Sequence, residues 1–187
     1  AALCQKAIRI EGADSLLRRP MDGFREAFAQ LNILHDGFNG YIPLIVQGPV
    51  IARSVTMDAS DGSQFLSGLL FALSDCATEP VTIKVTGLKS KPYIDMTLEV
   101  LAHFGKKIKH NNYKEFSIDP GLFTNQEIIE IDIEADWSSA AYFLAAGAIA
   151  GEITVRNLAM KSTQADRSVM RVLQNAGADM HADANVV

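Results

Sequence analysis

The chain has no excess of positive charge, only two cysteines in 187 residues, and no apolar run long enough to cross a bilayer. Each shortage closes off a class of function. With 17 Lys and Arg against 22 Asp and Glu, the net charge is −5, and a nucleic-acid surface, which needs a basic excess, is not expected. A local anion site stays open, because a few cations gathered in a cleft leave no trace in the total. Cys4 and Cys76 sit among apolar residues without metal-ligand spacing, so reduced, buried thiols in a cytosolic protein are expected. His35, His103, His110 and His181 show no metal-like spacing either. The most apolar stretch, Ala140 to Ala150, is well short of the roughly 20 residues of a membrane span. No secretory signal opens the chain, and Ala1 is not a natural start, so a processed or cut N-terminus is expected.

What remains is an ordinary globular composition, 48% apolar and 21% charged, with length for one good core or two small ones. Strands are predicted at Ala7–Glu11, Ile33–His35, Leu44–Gln47, Ala52–Met57, Val81–Val85, Lys106–His110, Glu115–Ile118, Ile128–Ile133 and Glu152–Arg156. Another is expected from His181 onward. Helices are predicted at Met21–Asn32, Ser63–Leu73, Tyr93–Gly105, Ser138–Ile149 and Asp166–Ala176. Pro20 and Pro92 stand at helix starts, where a missing N–H costs nothing, and Gly105 and Gly177 stand where a C-terminal cap wants glycine. Ala1-Ala-Leu-Cys reads as the tail of a helix.

The pattern recurs. Ile8-Arg-Ile-Glu-Gly, Ile83-Lys-Val-Thr-Gly and Ile153-Thr-Val-Arg-Asn each precede a polar loop and then a helix. The unit is strand, helix, strand, helix, strand, strand, with a period of roughly 70–75 residues. The first and last units lack pieces, so the chain is expected to be cut from something larger. The fold class expected is α/β (α+β), built from repeated βαβαββ units.

One stretch organises the reading. Asp61-Gly-Ser-Gln runs straight into Phe65, Leu66, Leu69, Leu70 and Leu73 at helical spacing, and a strand precedes it. A helix start leaves backbone N–H groups unpaired and carries partial positive charge. With Gly62 permitting close approach, that place suits an anion, above all a phosphate. The plain alternative is that Asp61 or Ser63 merely caps the helix.

Three segments resemble a known family. Gly62-Ser-Gln-Phe-Leu-Ser-Gly-Leu-Leu resembles the Ser-Ser-Gln-Phe-Leu-[Ser/Thr]-Ala-Leu-Leu segment of the 5-enolpyruvylshikimate-3-phosphate (EPSP) synthase family. Ser90-Lys-Pro-Tyr-Ile-Asp-Met-Thr-Leu matches a second segment nearly residue for residue, and Glu134-Ala-Asp-Trp-Ser-Ser-Ala-Ala-Tyr-Phe-Leu-Ala resembles a third. Arg18-Arg-Pro-Met is similar to the family's Arg-Pro-[Ile/Met] turn. The resemblance covers the whole chain in order.

It implies a six-repeat, two-domain fold of the enolpyruvyl transferase type, with substrates in the cleft between the domains. Residues 1–134 would form part of the first domain and 135–187 the beginning of the second. The implied reaction moves the enolpyruvyl group of phosphoenolpyruvate to the 5-hydroxyl of shikimate 3-phosphate by addition–elimination and releases phosphate, without metal or organic cofactor. By resemblance, Arg19 holds phosphoenolpyruvate, against the alternative of a solvated surface charge. Ser63 and Gln64 bind the phosphate of shikimate 3-phosphate, and Gly62 stands where the family usually has serine, so one hydroxyl is lost there. Ser90 and Tyr93 are further shikimate 3-phosphate contacts; otherwise they are an N-cap and a half-buried core aromatic.

Asp136 is expected to cap its helix, and Lys161, Asp166 and Arg167 to be surface charge and capping. The family's Lys-Ser…Arg segment and Asn-Ala-Gly-Thr loop would precede Ala1, and its Asp and Glu-Lys proton-handling residues would follow Val187. No catalytic residue is therefore expected within the chain, and the chain alone is expected to be inactive. Two alternatives are a relative of UDP-N-acetylglucosamine enolpyruvyl transferase and a non-catalytic α/β interaction module. The positions of Cys4 and Cys76, at expected helix ends and not in a loop, count against the first. The second would self-associate through apolar surface at incomplete repeats. The partners expected are the two substrates, with no nucleic acid and no membrane, in the cytoplasm.

Overall fold

Burial alternates residue by residue along three strands, β4 (Val55–Asp58), β5 (Val81–Thr86) and β7 (Glu115–Ile118). Such alternation marks a sheet with one face on a core. With β6 (Lys109–Asn111) they form a four-stranded sheet in the order β4-β5-β7-β6. β4 and β5 are parallel, while β5–β7 and β7–β6 are antiparallel. The connections are α2 (Gln64–Cys76), between β4 and β5, and α3 (Lys91–His103), between β5 and β6. The βαβαββ unit expected from the repeat is therefore present.

The structure is a computed structural model that describes residues 1–37, 40–124, 128–183 and 186–187. Two compact units divide the chain, Ala1–Gln126 and Glu127–Val187.

In the first unit, an earlier partial repeat carries β1 (Ile8–Ile10), α1 (Arg25–Gln30), β2 (Leu34–Gly37) and β3 (Leu44–Gln47). Its sheet order, β1-β3-β2, is antiparallel throughout and has the topology of β5-β7-β6. The likeness between Ile8-Arg-Ile and Ile83-Lys-Val thus extends to equivalent strands. Leu66, Leu69, Leu70 and Leu73 put one face of α2 in the core with Val55, Met57, Ile83, Ile94, Phe116 and Ile118. Each such side chain stabilises the fold by roughly 2 kcal/mol before entropy is counted. Gly105 ends α3 at φ 76°, where the Lys106 N–H bonds the Leu101 carbonyl at 2.8 Å.

The second unit holds α4 (Trp137–Ala150) and α5 (Val169–Asn175) around Trp137, Leu144, Leu158, Met170 and Val187. Gly177 follows α5 at φ 93°, as its capping role requires.

Several expectations need correction. Ile128–Ile133 lies in no strand, because no neighbouring segment pairs with it among the described residues. Of Glu152–Arg156 only Arg156 forms a bridge, to Val186. Beyond His181, isolated bridges at Asp183 and Val186 replace the expected strand. Ala1–Cys4 is a turn closed by Cys4 N–H to the Ala1 carbonyl at 2.9 Å, not a helix tail. Cys4 is exposed and Cys76 only partly covered, so neither is the buried thiol expected. The helix expected over Met21–Asn32 is shortened to a 3₁₀ turn, Asp22–Phe24, and α1. The polar loop before it contains another 3₁₀ turn, Asp14–Arg18. The turn expected between Asp36 and Gly40 falls partly on residues 38 and 39, outside the described residues. No helix among the described residues is long and apolar enough to cross a membrane.

Candidate functional site

Parallel pairing of β4 with β5 puts the carboxyl ends of both strands on one edge of the sheet. Beyond those ends α2 and α3 begin, which is where open α/β sheets place ligands. The two loops leading into the helices touch. Ala59 N–H donates to the Thr86 carbonyl at 2.8 Å. Asp58 braces its own loop, accepting from Ser60 N–H and from Ser60 Oγ, each at 2.9 Å. Gly87 has φ +70°, and a Cβ there would lie 2.4 Å from Asp58 Oδ1, so glycine is what lets the second loop close onto the first.

Ser63 occupies the N-cap position of α2 and Ser90 that of α3, and neither side chain makes a cap hydrogen bond. Both helices are thus left without the local acceptor that a capping serine would supply. Capping by Ser63 or Ser90, the plain reading of each, is not what the structure shows. By contrast, Asp136 caps α4 in full. Its carboxylate accepts from Ser138 N–H at 2.9 Å and from Ser139 N–H at 3.2 Å, and from Ser139 Oγ at 2.6 Å. Those bonds, the Ser139 hydroxyl first and then the Ser138 N–H, hold its pKa below the usual aspartate range. An anion could be received by the first two helix starts; the third is occupied by its own carboxylate.

The candidate residues differ in exposure. Gln64 is exposed, Ser63 is buried at 3%, Ser90 is half-buried, and Tyr93 is 39% exposed. Gly62 has φ +146°, a conformation nearly reserved for glycine, and a Cβ there would meet Gln64 Oε1 at 2.5 Å. The Gln64 side chain therefore turns back toward Gly62. The two helices are locked to each other by Ser67 Oγ and Thr97 Oγ1, 2.8 Å apart.

Arg19 follows the 3₁₀ turn Asp14–Arg18 and is exposed. Its segment is drawn toward the start of α2 a few residues later. Gly23 packs so closely on Phe65 that a Cβ would overlap the ring at 2.2 Å, and the Phe24 and Phe65 ring centroids are 4.3 Å apart. Arg18, its neighbour, is also exposed, and among the described residues neither forms a salt bridge.

Sequence reasoning missed the braces Asp58, Gly87, Ser67 and Thr97, together with Lys91, Asp95 and Tyr113 around the start of α3. Asp58-Ala-Ser60 was readable as a side-chain-bonded turn; the others depend on long-range contacts. Asp166, expected as surface charge and capping, accepts a hydrogen bond from Ser138 Oγ at 2.7 Å and so ties its turn to α4. Arg167 donates to the Met160 carbonyl. Among the described residues, no group of three or more His, Cys, Asp or Glu side chains is placed to hold a metal ion.

Comparison with known proteins bears on this geometry. The family model for EPSP synthase (3-phosphoshikimate 1-carboxyvinyltransferase) matches residues 1–187. A 3-phosphoshikimate 1-carboxyvinyltransferase of Thermococcus kodakarensis is 37% identical over 90% of this chain and 40% of its own length. Proteins of the same name from Clostridium beijerinckii and Yersinia ruckeri are 34% and 38% identical, over 99% and 97% of this chain. The chain spans 42% and 43% of those two. An EPSP synthase structure from Acinetobacter baumannii superposes with a TM-score of 0.67 at 21% identity, over 97% of this chain and 41% of that one. That likeness is one of fold.

Proposed function

The chain belongs to the EPSP synthase family, and on that premise we propose that it is part of an enolpyruvyl transferase and supplies the wall that holds shikimate 3-phosphate. In the whole protein, the 5-hydroxyl oxygen of shikimate 3-phosphate would lose its proton and bond to C2 of phosphoenolpyruvate, while the C2=C3 π pair takes a proton at C3. The tetrahedral adduct would then lose phosphate by cleavage of its C2–O bond, and a proton leaving C3 would restore the double bond. Within this chain, Ser63, Gln64 and the Gly62 backbone would receive the shikimate phosphate, with Ser90 beside them and Tyr93 against the ring. Arg19 would reach toward phosphoenolpyruvate. None of these residues is a carboxylate, histidine or lysine to move protons near neutral pH, and the chain alone would bind without turning over. The division into a first-domain part, 1–134, and a second-domain beginning, 135–187, belongs to the same proposal, as does work in the cytoplasm.

One observation carries the reading: two neighbouring helix starts, both lacking side-chain caps, open on the same edge of a parallel strand pair. Dianionic phosphate is the ligand such an arrangement suits. The test is calorimetric titration of shikimate 3-phosphate into the chain and into Ser63→Ala. Saturable binding weakened about tenfold by the substitution is expected, the loss of one hydrogen bond to a charged group. Binding by neither protein overturns the reading.

Self-association is a second property that we propose, favoured by the exposure of Tyr142 (79%), Phe143 and Ile149 (87%) on α4. Sedimentation at rising concentration would reveal it, and a constant monomer mass would exclude it.

A further inference from the structure

The start of α3 has no serine cap, and it carries Lys91 in its first turn, where the helix dipole disfavours a cation. The β6–β7 hairpin reaches that turn from outside the helix. Antiparallel pairing of β7 with β5 brings Glu115 opposite Lys84, so the hairpin tip lies at the carboxyl end of β5, on the edge where α3 begins. At that tip Asn112 and Tyr113 have φ of 49° and 59°, and Lys114 N–H bonds the Asn111 carbonyl at 2.9 Å. This turn normally takes glycine at its second central position. A tyrosine there costs backbone strain, and strain retained at a residue is a reason to ask what its side chain does.

Tyr113 touches α3 twice. Its hydroxyl donates to Asp95 Oδ1 at 2.6 Å, and its ring lies under the Lys91 ammonium, 5.2 Å from ring centroid to Nζ. Lys91 and Asp95 are one turn apart and share a helix face, so one aromatic side chain spans both. From the other side His110 supports it, with ring centroids 4.4 Å apart and Nδ1 accepting from Tyr113 N–H at 3.3 Å. The bond to Asp95 also pushes the Tyr113 phenol above its usual pKa range, which keeps it a donor.

We propose that Tyr113 is a positioning residue: through Asp95 and Lys91 it clamps the first turn of α3 and so sets where Ser90 and Tyr93 meet the substrate. The clamp touches α3 through side chains alone and leaves the N–H groups of the helix start available to a ligand. The link to substrate rests on the proposed roles of Ser90 and Tyr93, whereas the clamp itself is testable without any ligand.

The test uses the full chain with Tyr113→Phe, which keeps the ring and loses the hydroxyl, and with Asp95→Asn, which keeps an acceptor. In amide hydrogen exchange, Tyr113→Phe should speed exchange at Asp95 to Leu98 about fivefold, leaving α2 unaffected, and Asp95→Asn should stay within about twofold of wild type. Unchanged exchange in Tyr113→Phe overturns the clamp. Titration with shikimate 3-phosphate should show affinity about fivefold weaker in Tyr113→Phe and close to wild type in Asp95→Asn. The same change in a Ser90→Ala background should have less effect, because coupled residues do not add. Equal affinities for wild type and Tyr113→Phe overturn the link to substrate. Absence of binding by wild type sinks the substrate reading, and the exchange result still decides the clamp.

Discussion

Ser67 Oγ donates to Thr97 Oγ1 across 2.8 Å, and the direction of that bond follows from a second one. Thr97 Oγ1 donates its only proton to the Tyr93 carbonyl at 2.9 Å, so toward Ser67 it can only accept. The bond pins α2 to α3 just inside the two helix starts that carry Ser63, Gln64, Ser90 and Tyr93. Replacing buried Thr97 by valine removes both bonds and leaves the Ser67 hydroxyl without its acceptor. A loss of about 1–3 kcal/mol is expected, read as a lower midpoint in denaturant unfolding. Thr97→Ser should recover most of it, and equal midpoints for valine and threonine would remove this bond from the account.

Gly62 has a φ of +146°, and a Cβ there would meet Gln64 Oε1 at 2.5 Å. Gly62→Ala should destabilise the chain by about 1–3 kcal/mol, because Gln64 can swing aside but the backbone cannot relax without moving the loop. Thermal unfolding measures this. A variant as stable as the parent would mean that the loop adopts another conformation.

Asp136 holds the start of α4, and its depressed pKa gives the pH dependence a sign. A carboxylate with folded pKa below the unfolded value stabilises the fold above the unfolded pKa. That stabilisation is lost as pH falls through the folded value. Asp136→Ala should therefore lower the melting temperature at neutral pH, and the gap to wild type should close in strong acid. A gap that stays constant across pH would rule out the charged cap.

Supplied with shikimate 3-phosphate and phosphoenolpyruvate, the purified chain should release no phosphate, since its candidate residues include no carboxylate, histidine or lysine to move protons. A phosphate-release assay decides this, and clear turnover would mean that groups elsewhere in the chain handle protons.

Much of the first unit was legible because its signals are local. Leu44–Gln47 and Glu115–Ile118 were read to the residue, and α2 and α3 to within a few, since apolar period and glycine stops act within one element. The second unit was less legible. Apolar β-branched residues at Ile128–Ile133 suggest a strand, but a strand exists only by pairing, and among the described residues nothing pairs with it. Ser63 and Ser90 were legible as helix starts, whereas the lack of a cap bond at either was not.

By itself, the sequence determined the repeat, the alternation that makes strands one-sided, and the family motifs around Gly62, Ser90 and Glu134. These are properties of order along the chain. Only tertiary structure decided that β4 and β5 run parallel, so that two helix starts share an edge, and that Tyr113 bonds Asp95 and lies under Lys91 at the start of α3. Those outcomes depend on which elements meet, and contacts between distant segments leave no local periodicity to read.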